Sequence, residues 1–273
     1  MNPEPLPMRL AWLTDIHLNF LSRDDADDFF ARIRDEEPQA ILLTGDIGEA
    51  RNVVMWLERM DRELQRPIYF VLGNHDFYGG SIAAVRSAVT ALERPRPYLK
   101  YLTATEEVIE LTPHVALIGD DGWADARLGN YEQSLIMMND YRLITELAPL
   151  TKQDRWPKLK DLGDQAAAHV RRLLPQALAR YEHVILGTHV PPLREACWHE
   201  GQLSNDEWLP HFTCKAVGDA ILEIMRANPT RQLTVYCGHT HSPGICQPLP
   251  NVTIHTGSAH YGLPEIQRII EVS

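Results

Sequence analysis

In YFVLGNHDFYGG, residues 69–80, an apolar run ends at Gly73 and gives way at once to Asn74, His75 and Asp76. An amide oxygen, an imidazole and a carboxylate side by side can bind metal or move a proton. Four other places carry related groups. Asp15 and His17 stand two apart in LTDIHL, and Gly45-Asp46 closes AILLTGD. His189 follows HVILGT, and His239 and His241 stand two apart in YCGHTH. On an extended strand, residues i and i+2 point to one face, so a carboxylate and an imidazole at that spacing can meet one ion.

Each group follows a short apolar, β-rich run. The pattern predicts strands over 9–15, 40–46, 68–73, 114–123 and 183–188, with further strands near 100–102, 108–111, 233–237, 245–247, 253–256 and 266–272. Helical periods fall over 24–37, 52–64, 81–92, 164–180 and 215–227. Alternation of this kind indicates an α/β fold with a largely parallel sheet covered by helices. In such sheets ligands sit beyond the carboxyl ends of the strands, so the five polar groups can converge on one crevice. Glycines 45, 73 and 238 suit sharp turns and close backbone approach.

As an ordered set (DxH, GD, GNHD, a lone His, GHTH) these residues resemble the calcineurin-like metallophosphoesterase family, over a span from Asp15 to His241. The resemblance implies a four-layer αββα sandwich, two mixed β-sheets flanked by helices, with two metal ions at the strand ends. It assigns Asp15, His17 and His241 to one ion, Asn74, His189 and His239 to the other, and Asp46 to a bridge between them. Mixed nitrogen and oxygen donors suit manganese, iron or zinc better than magnesium alone. Two divalent ions, less Asp15, Asp46 and a bridging hydroxide, leave a site of about +1; Asp in place of Asn74 would bring it to about zero. Such a metal pair activates water for in-line attack on phosphorus. His75, beside a ligand without being one, is then the candidate to assist the leaving group. Asp76 is the first candidate to orient His75, and Glu49 the second.

Subgroup motifs prune the possibilities. The Ser/Thr protein phosphatases continue GD as GDxxDRG, whereas this chain reads GDIGEAR, with Glu49 and Ala50 at the Asp and Arg positions. Purple acid phosphatases carry DxG and GDxxY; here His17 and Glu49 stand instead. The version present resembles the phosphodiesterase-type and small-molecule branches. The resemblance thus implies a metal-dependent phosphoric ester hydrolase acting on a small phosphomonoester or phosphodiester, a nucleotide among them. The alternatives are a nuclease acting on nucleic-acid ends, or a scaffold that keeps the fold without the chemistry.

The 273 residues are read as a single domain spanning 1–273, with insertions at about 121–160 and 190–213 as a possible substrate lid. In them Trp123, Tyr131, Trp156, Trp198, His199, Trp208 and His211 could stack a flat group, and Arg127 or Arg142 could meet phosphate. His255 and His260, in HTGSAH, lie just beyond the last motif. The formal charge of −11, from 26 basic and 37 acidic residues, argues against a nucleic-acid partner. No run reaches the length of a membrane span, and MNPEPLPMRLAWLTD lacks the pattern of a secretory signal. Four cysteines without CxxC spacing suggest free thiols and a cytoplasmic location.

Overall fold

Apolar runs of four to six residues carry the two sheets. In the computed structural model, which describes residues 7–273, the first half alternates strand and helix. The order is β1 (Met8–Leu13), α1 (Arg23–Asp35), β2 (Ala40–Thr44), α2 (Val53–Leu64), β3 (Ile68–Val71), α3 (Ile82–Leu92) and β4 (Leu99–Tyr101). The second half comprises β5 (Ile109–Glu110), β6 (Val115–Asp120), α4 (Asp140–Leu143), α5 (Lys152–Arg180), β7 (His183–Thr188), β8 (Trp198–His199), β9 (Gln202–Leu203), α6 (Leu209–Phe212) and α7 (Lys215–Ala227). It closes with β10 (Gln232–Cys237), β11 (Gly244–Leu249), β12 (Val252–Thr256) and β13 (Arg268–Val272).

One sheet has the order β13-β1-β2-β3-β4, in which β1 to β4 run parallel and β13 is antiparallel to β1. The other has the order β11-β12-β10-β7-β6-β5, parallel in its centre with antiparallel strands at both edges. Leu10, Trp12 and Leu42 from the first sheet meet Leu117, Ile185 and Tyr236 from the second in a buried layer between them. Phe29, Phe30, Leu57 and Val89 cover the outer face of the first sheet from α1, α2 and α3. Val170, Leu174, Ala220 and Ile221 cover the second from α5 and α7. The architecture is therefore helix, sheet, sheet, helix, with two mixed sheets where the pattern alone gave one largely parallel sheet.

Local chemistry fixes the helix starts. Ser22 caps α1 in a reciprocal box, its hydroxyl oxygen accepting from the Asp25 N–H at 3.2 Å while the Asp25 carboxylate accepts from the Ser22 N–H at 3.4 Å. Thr151 caps α5 by accepting from the Asp154 N–H at 3.2 Å. Helix α5 thus begins twelve residues before the expected start at Asp164 and carries Pro157 and Pro175 within it. Burial of Leu159, Leu162 and Leu173 along its inner face offsets the two lost backbone bonds.

The sheets are tied together near their carboxyl ends by Asp121. Its carboxylate accepts from the Leu72 N–H (2.7 Å), the Tyr101 hydroxyl (2.6 Å), the Thr103 hydroxyl (2.7 Å) and Arg86 Nε (3.0 Å). Its neighbour Asp120 accepts from His169 Nδ1 on α5 at 2.8 Å. Both contacts set the loops after β3 and β6, and these loops lead directly to the polar cluster.

Candidate metal centre

The i, i+2 pairs lie past the strands, not on them. β1 ends at Leu13, and Asp15 and His17 follow with φ of 48° and 39°. Asp46, His239 and His241 are also left-handed, with φ of 53°, 72° and 57°. Among the described residues, five of the nine non-glycine residues with positive φ are thus in this cluster, which is where strained backbone tends to be kept. The i, i+2 pairs therefore do not share a strand face as expected; left-handed turns aim them. Backbone bonds hold the turns in place, from Asp15 N to Gly45 O (3.0 Å), His17 N to Asp46 O (2.9 Å) and Gly238 N to His189 O (2.9 Å).

Two glycines make the close approach possible. A Cβ on Gly73 would lie 2.1 Å from Asp46 Oδ1, and one on Gly238 would lie 1.9 Å from Asp15 Oδ2. Any side chain at either position would displace a carboxylate.

The donors fall into two sets. One nitrogen or oxygen from each of Asp15, His17, Asp46 and His241 comes within 4.8 Å of the others. In the second set, Asn74 Oδ1 lies 3.1 Å from His189 Nε2 and 2.9 Å from His239 Nδ1. Asp46 stands between the sets, with Oδ2 3.7 Å from His17 Nε2 and Oδ1 3.5 Å from His189 Nε2. One carboxylate oxygen faces each set, as a bridge requires.

The second set passes a test of fit. His189 Nδ1 donates to Thr44 O at 2.9 Å, and His239 Nε2 donates to the His211 carbonyl at 3.0 Å. With those nitrogens protonated, the nitrogens facing Asn74 carry lone pairs. Asn74 itself is oriented by its amide nitrogen, which donates to Asp140 Oδ1 (2.8 Å) and Tyr78 Oη (2.9 Å). Three acceptors therefore point at one another with no proton between them, an arrangement that a cation completes.

Electrostatics agree. Burial, reinforced by the charges of Asp15 and Asp76, holds the Asp46 carboxyl well above the usual carboxylate range. Burial also opposes ionisation of Asp15, but the His241 hydrogen bond and the surrounding imidazoles outweigh it and bring Asp15 down. Burial pushes His17 and His239 down to about 3, so both rings are neutral and able to ligate. Crowded buried carboxylates among neutral imidazoles are what cations stabilise.

His75 sits beside this centre. Its Nε2 is 4.0 Å from Asp46 Oδ2, its backbone N–H donates to Asp46 Oδ1 at 2.9 Å, and its ring is 4.7 Å from that of His17. Burial pushes it down to about 2, ahead of the charges of His17 and His241. The neutral ring keeps one N–H to donate.

Neither carboxylate expected to orient His75 does so. Asp76 is fully buried and accepts from the backbone N–H groups of Ile47 (2.9 Å), Gly48 (2.8 Å) and Gly73 (2.9 Å). It clamps the GD turn to the GNHD turn, because a buried carboxylate needs donors and the backbone supplies three. Glu49 pairs with Arg51 at 3.1 Å. The contact that steadies the His75 ring is the Tyr78 ring, 4.3 Å away.

The residues expected to contact substrate have packing partners of their own. Trp123 is buried in the core against Phe77 (5.8 Å between rings). The Arg127 guanidinium is taken up by Asp125 (3.0 Å), Asp164 (2.7 Å) and the Lys160 carbonyl (3.3 Å), which fastens its loop to α5. Trp198 packs so closely on Gly244 of β11 that a Cβ there would meet the indole at 2.1 Å. His199 packs against Trp208 (5.0 Å between rings) and edge-on against Phe212 (5.1 Å), and Phe212 in turn packs on His239 (5.3 Å). These aromatic residues and Arg127 anchor loops, for the reason that long loops need buried side chains to hold them. His255 stacks on Tyr236, and His260 is exposed.

Sequence reasoning missed Asp140, Tyr78, Phe20 and Tyr261. Asp140 is buried and also accepts from the Tyr78 hydroxyl at 2.6 Å, yet no motif surrounds it. Tyr78 lies within the GNHDFY stretch itself. Tyr261 directly follows HTGSAH, and its ring lies 4.6 Å from that of His17.

The fold is similar to that of a dimetal phosphatase from Danio rerio, at 17% identity and a TM-score of 0.57, covering 93% of this chain and 88% of that one. It is also similar to the phosphopantetheinyl hydrolase of Mycobacterium tuberculosis, at 16% identity and a TM-score of 0.63, covering 94% and 90%. Among curated protein sequences none matches the chain. No helix among the described residues is long and apolar enough to cross a membrane. The family model described as calcineurin-like phosphoesterase matches residues 8–243, a span that contains both donor sets and His75, and the chain therefore belongs to the calcineurin-like phosphoesterase family.

Proposed function

We propose that the chain is a dinuclear-metal phosphoesterase that hydrolyses a phosphomonoester or phosphodiester of a small molecule, nucleotides included. One observation carries the reading: Asp46 stands between two donor sets, one oxygen toward each, with the His75 ring at its edge. Asp15, His17 and His241 would hold one ion, Asn74, His189 and His239 the other, and Asp46 both; manganese, iron or zinc suits these donors. When bound, the two ions supply Lewis-acid activation of water and charge neutralisation at the phosphoryl group.

The chain's own residues do the rest. The His75 N–H reaches the space in front of Asp46 and donates to the leaving oxygen or to a phosphoryl oxygen. Tyr78 holds that ring at a fixed tilt, and the Asp46 carboxylate fixes the His75 backbone. Convergence of all seven donors beside a placed imidazole supports chemistry rather than a silent metal-binding scaffold. The similarity in fold to a protein described as a phosphopantetheinyl hydrolase and to one described as a dimetal phosphatase supports metal-dependent hydrolysis. The four cysteines are all free, which supports a reducing, cytoplasmic setting.

The test is hydrolysis of p-nitrophenyl phosphate and bis(p-nitrophenyl) phosphate by manganese-loaded protein, beside His75→Ala. Turnover of either ester that collapses in the variant supports the reading. A metal-loaded wild type that cleaves neither, with manganese, iron or zinc, counts against it.

A further inference from the structure

Two large aromatic side chains stand half-exposed at the rim of the metal centre. Tyr261 is 51% exposed and Phe20 53%, although their rings are only 4.7 Å apart. The Tyr261 ring lies 4.6 Å from that of His17, 5.2 Å from His241 and 6.1 Å from His75. The Phe20 ring lies 6.1 Å from that of His17.

Their positions are set by the ligand turns. Phe20 ends a short helical turn that begins at Leu18, and its N–H donates to the His17 carbonyl at 3.0 Å. Tyr261 and Gly262 form the centre of a β-turn closed from Leu263 N to His260 O at 3.0 Å, with Gly262 at φ 78°. That φ at the third turn residue is the one glycine supplies, and it leaves Tyr261 at the projecting corner. The base of this loop is tied to the ligand turn by Ala259 N donating to the His241 carbonyl at 3.3 Å, and to α1 by Arg32 donating to the Pro264 carbonyl at 2.9 Å. Both aromatics are thus carried by backbone bonded to metal ligands.

We infer that Tyr261 and Phe20 form a stacking shelf for a flat ring on the leaving group of the substrate, so that the preferred esters are those of aryl alcohols or nucleosides. This rests on the phosphoesterase reading. The shelf is on the side of the centre where the His75 ring lies, and His75 is the group placed to assist the departing oxygen. A flat ring laid on the shelf would cover apolar surface now open to water, and stacking on aromatic side chains accepts any π-face. The rings expected from the sequence to do this, Trp123 and Trp198, are engaged in packing and leave the task to this pair.

The test is calorimetric binding of phenylphosphonate and methylphosphonate, neither of which has an ester bond to cleave, to the manganese-loaded protein. The wild type prefers the phenyl compound, Tyr261→Phe keeps the preference, and Tyr261→Ala reduces it by about tenfold, a loss typical of one stacked ring. Phe20→Ala with Tyr261→Ala abolishes it, while the bound manganese, measured on the same samples, stays at the wild-type level. Binding of both phosphonates with a ratio unchanged in the double variant overturns the shelf alone. Failure of the wild type to bind either, with manganese held, overturns the phosphoesterase reading and the shelf with it.

Discussion

The amide nitrogen of Asn74 donates to Asp140 Oδ1 at 2.8 Å, which turns the amide oxygen toward His189 and His239. An asparagine offers an oxygen and a nitrogen of nearly equal size, and only its hydrogen bonds decide which faces a metal. Asp140 and Tyr78 make that decision here from the far side of the amide. Asp140→Ala is expected to weaken metal binding by about 10- to 100-fold, the usual effect of losing such a supporting carboxylate. On the proposed assignment the loss falls on the ion that Asn74 would hold, and a manganese titration would resolve it as one weakened site beside one intact site.

In the proposed mechanism His75 acts on substrate without holding metal. His75→Ala is expected to keep the wild-type metal content and to lower kcat by about 10²- to 10⁴-fold. Metal analysis and steady-state kinetics on the same preparation check both halves of this expectation.

Asp121 gathers bonds from Leu72 just past β3, from α3, from β4 and from the segment after β4, and it faces Arg86 at 3.0 Å from inside the protein. Asp121→Ala leaves Arg86 and three other donors without their acceptor. The expected loss is about 3–5 kcal/mol of folding stability, read from urea unfolding.

His169 is opposed by burial but lifted above its ordinary range by its hydrogen bond to Asp120, whose charge and the Thr105 carbonyl add to it. A folded-state value above the unfolded one means that the folded protein binds the extra proton. The stability it contributes is full below the unfolded histidine value of about 6.5 and is lost as pH rises through the raised folded value. Urea unfolding of wild type and His169→Gln between pH 5.5 and 8.5 should show a wild-type advantage that shrinks toward the alkaline end.

Much of this centre can be read from the residues. The five polar groups sit at the ends of apolar runs, and the donors the motifs name are the ones the turns bring together. What the sequence concealed has physical causes. Strand periodicity does not reveal that Asp15, His17, His239 and His241 lie in left-handed turns, because φ is set by the backbone bonds between neighbouring loops. Asp76 looks like a partner for His75 because they are adjacent, yet burial directs its carboxylate to three backbone donors. Asp140 is 66 residues from Asn74, and nothing local marks such a pairing. Pro157 and a run of charged residues mask the first turns of α5, which tertiary burial of Leu159 and Leu162 sustains. Aromatic residues in long loops are equally suited to anchoring and to stacking, and only burial separates Trp123 from Tyr261.

The central claim is that Asp46 joins two metal sites. It is tested most directly by counting manganese ions bound per chain at equilibrium in wild type, Asn74→Ala and Asp46→Ala. The account predicts two ions in the wild type, one in Asn74→Ala, and weakening of both sites together in Asp46→Ala. A wild type that binds a single ion, or an Asp46→Ala chain that holds both at wild-type affinity, would contradict it.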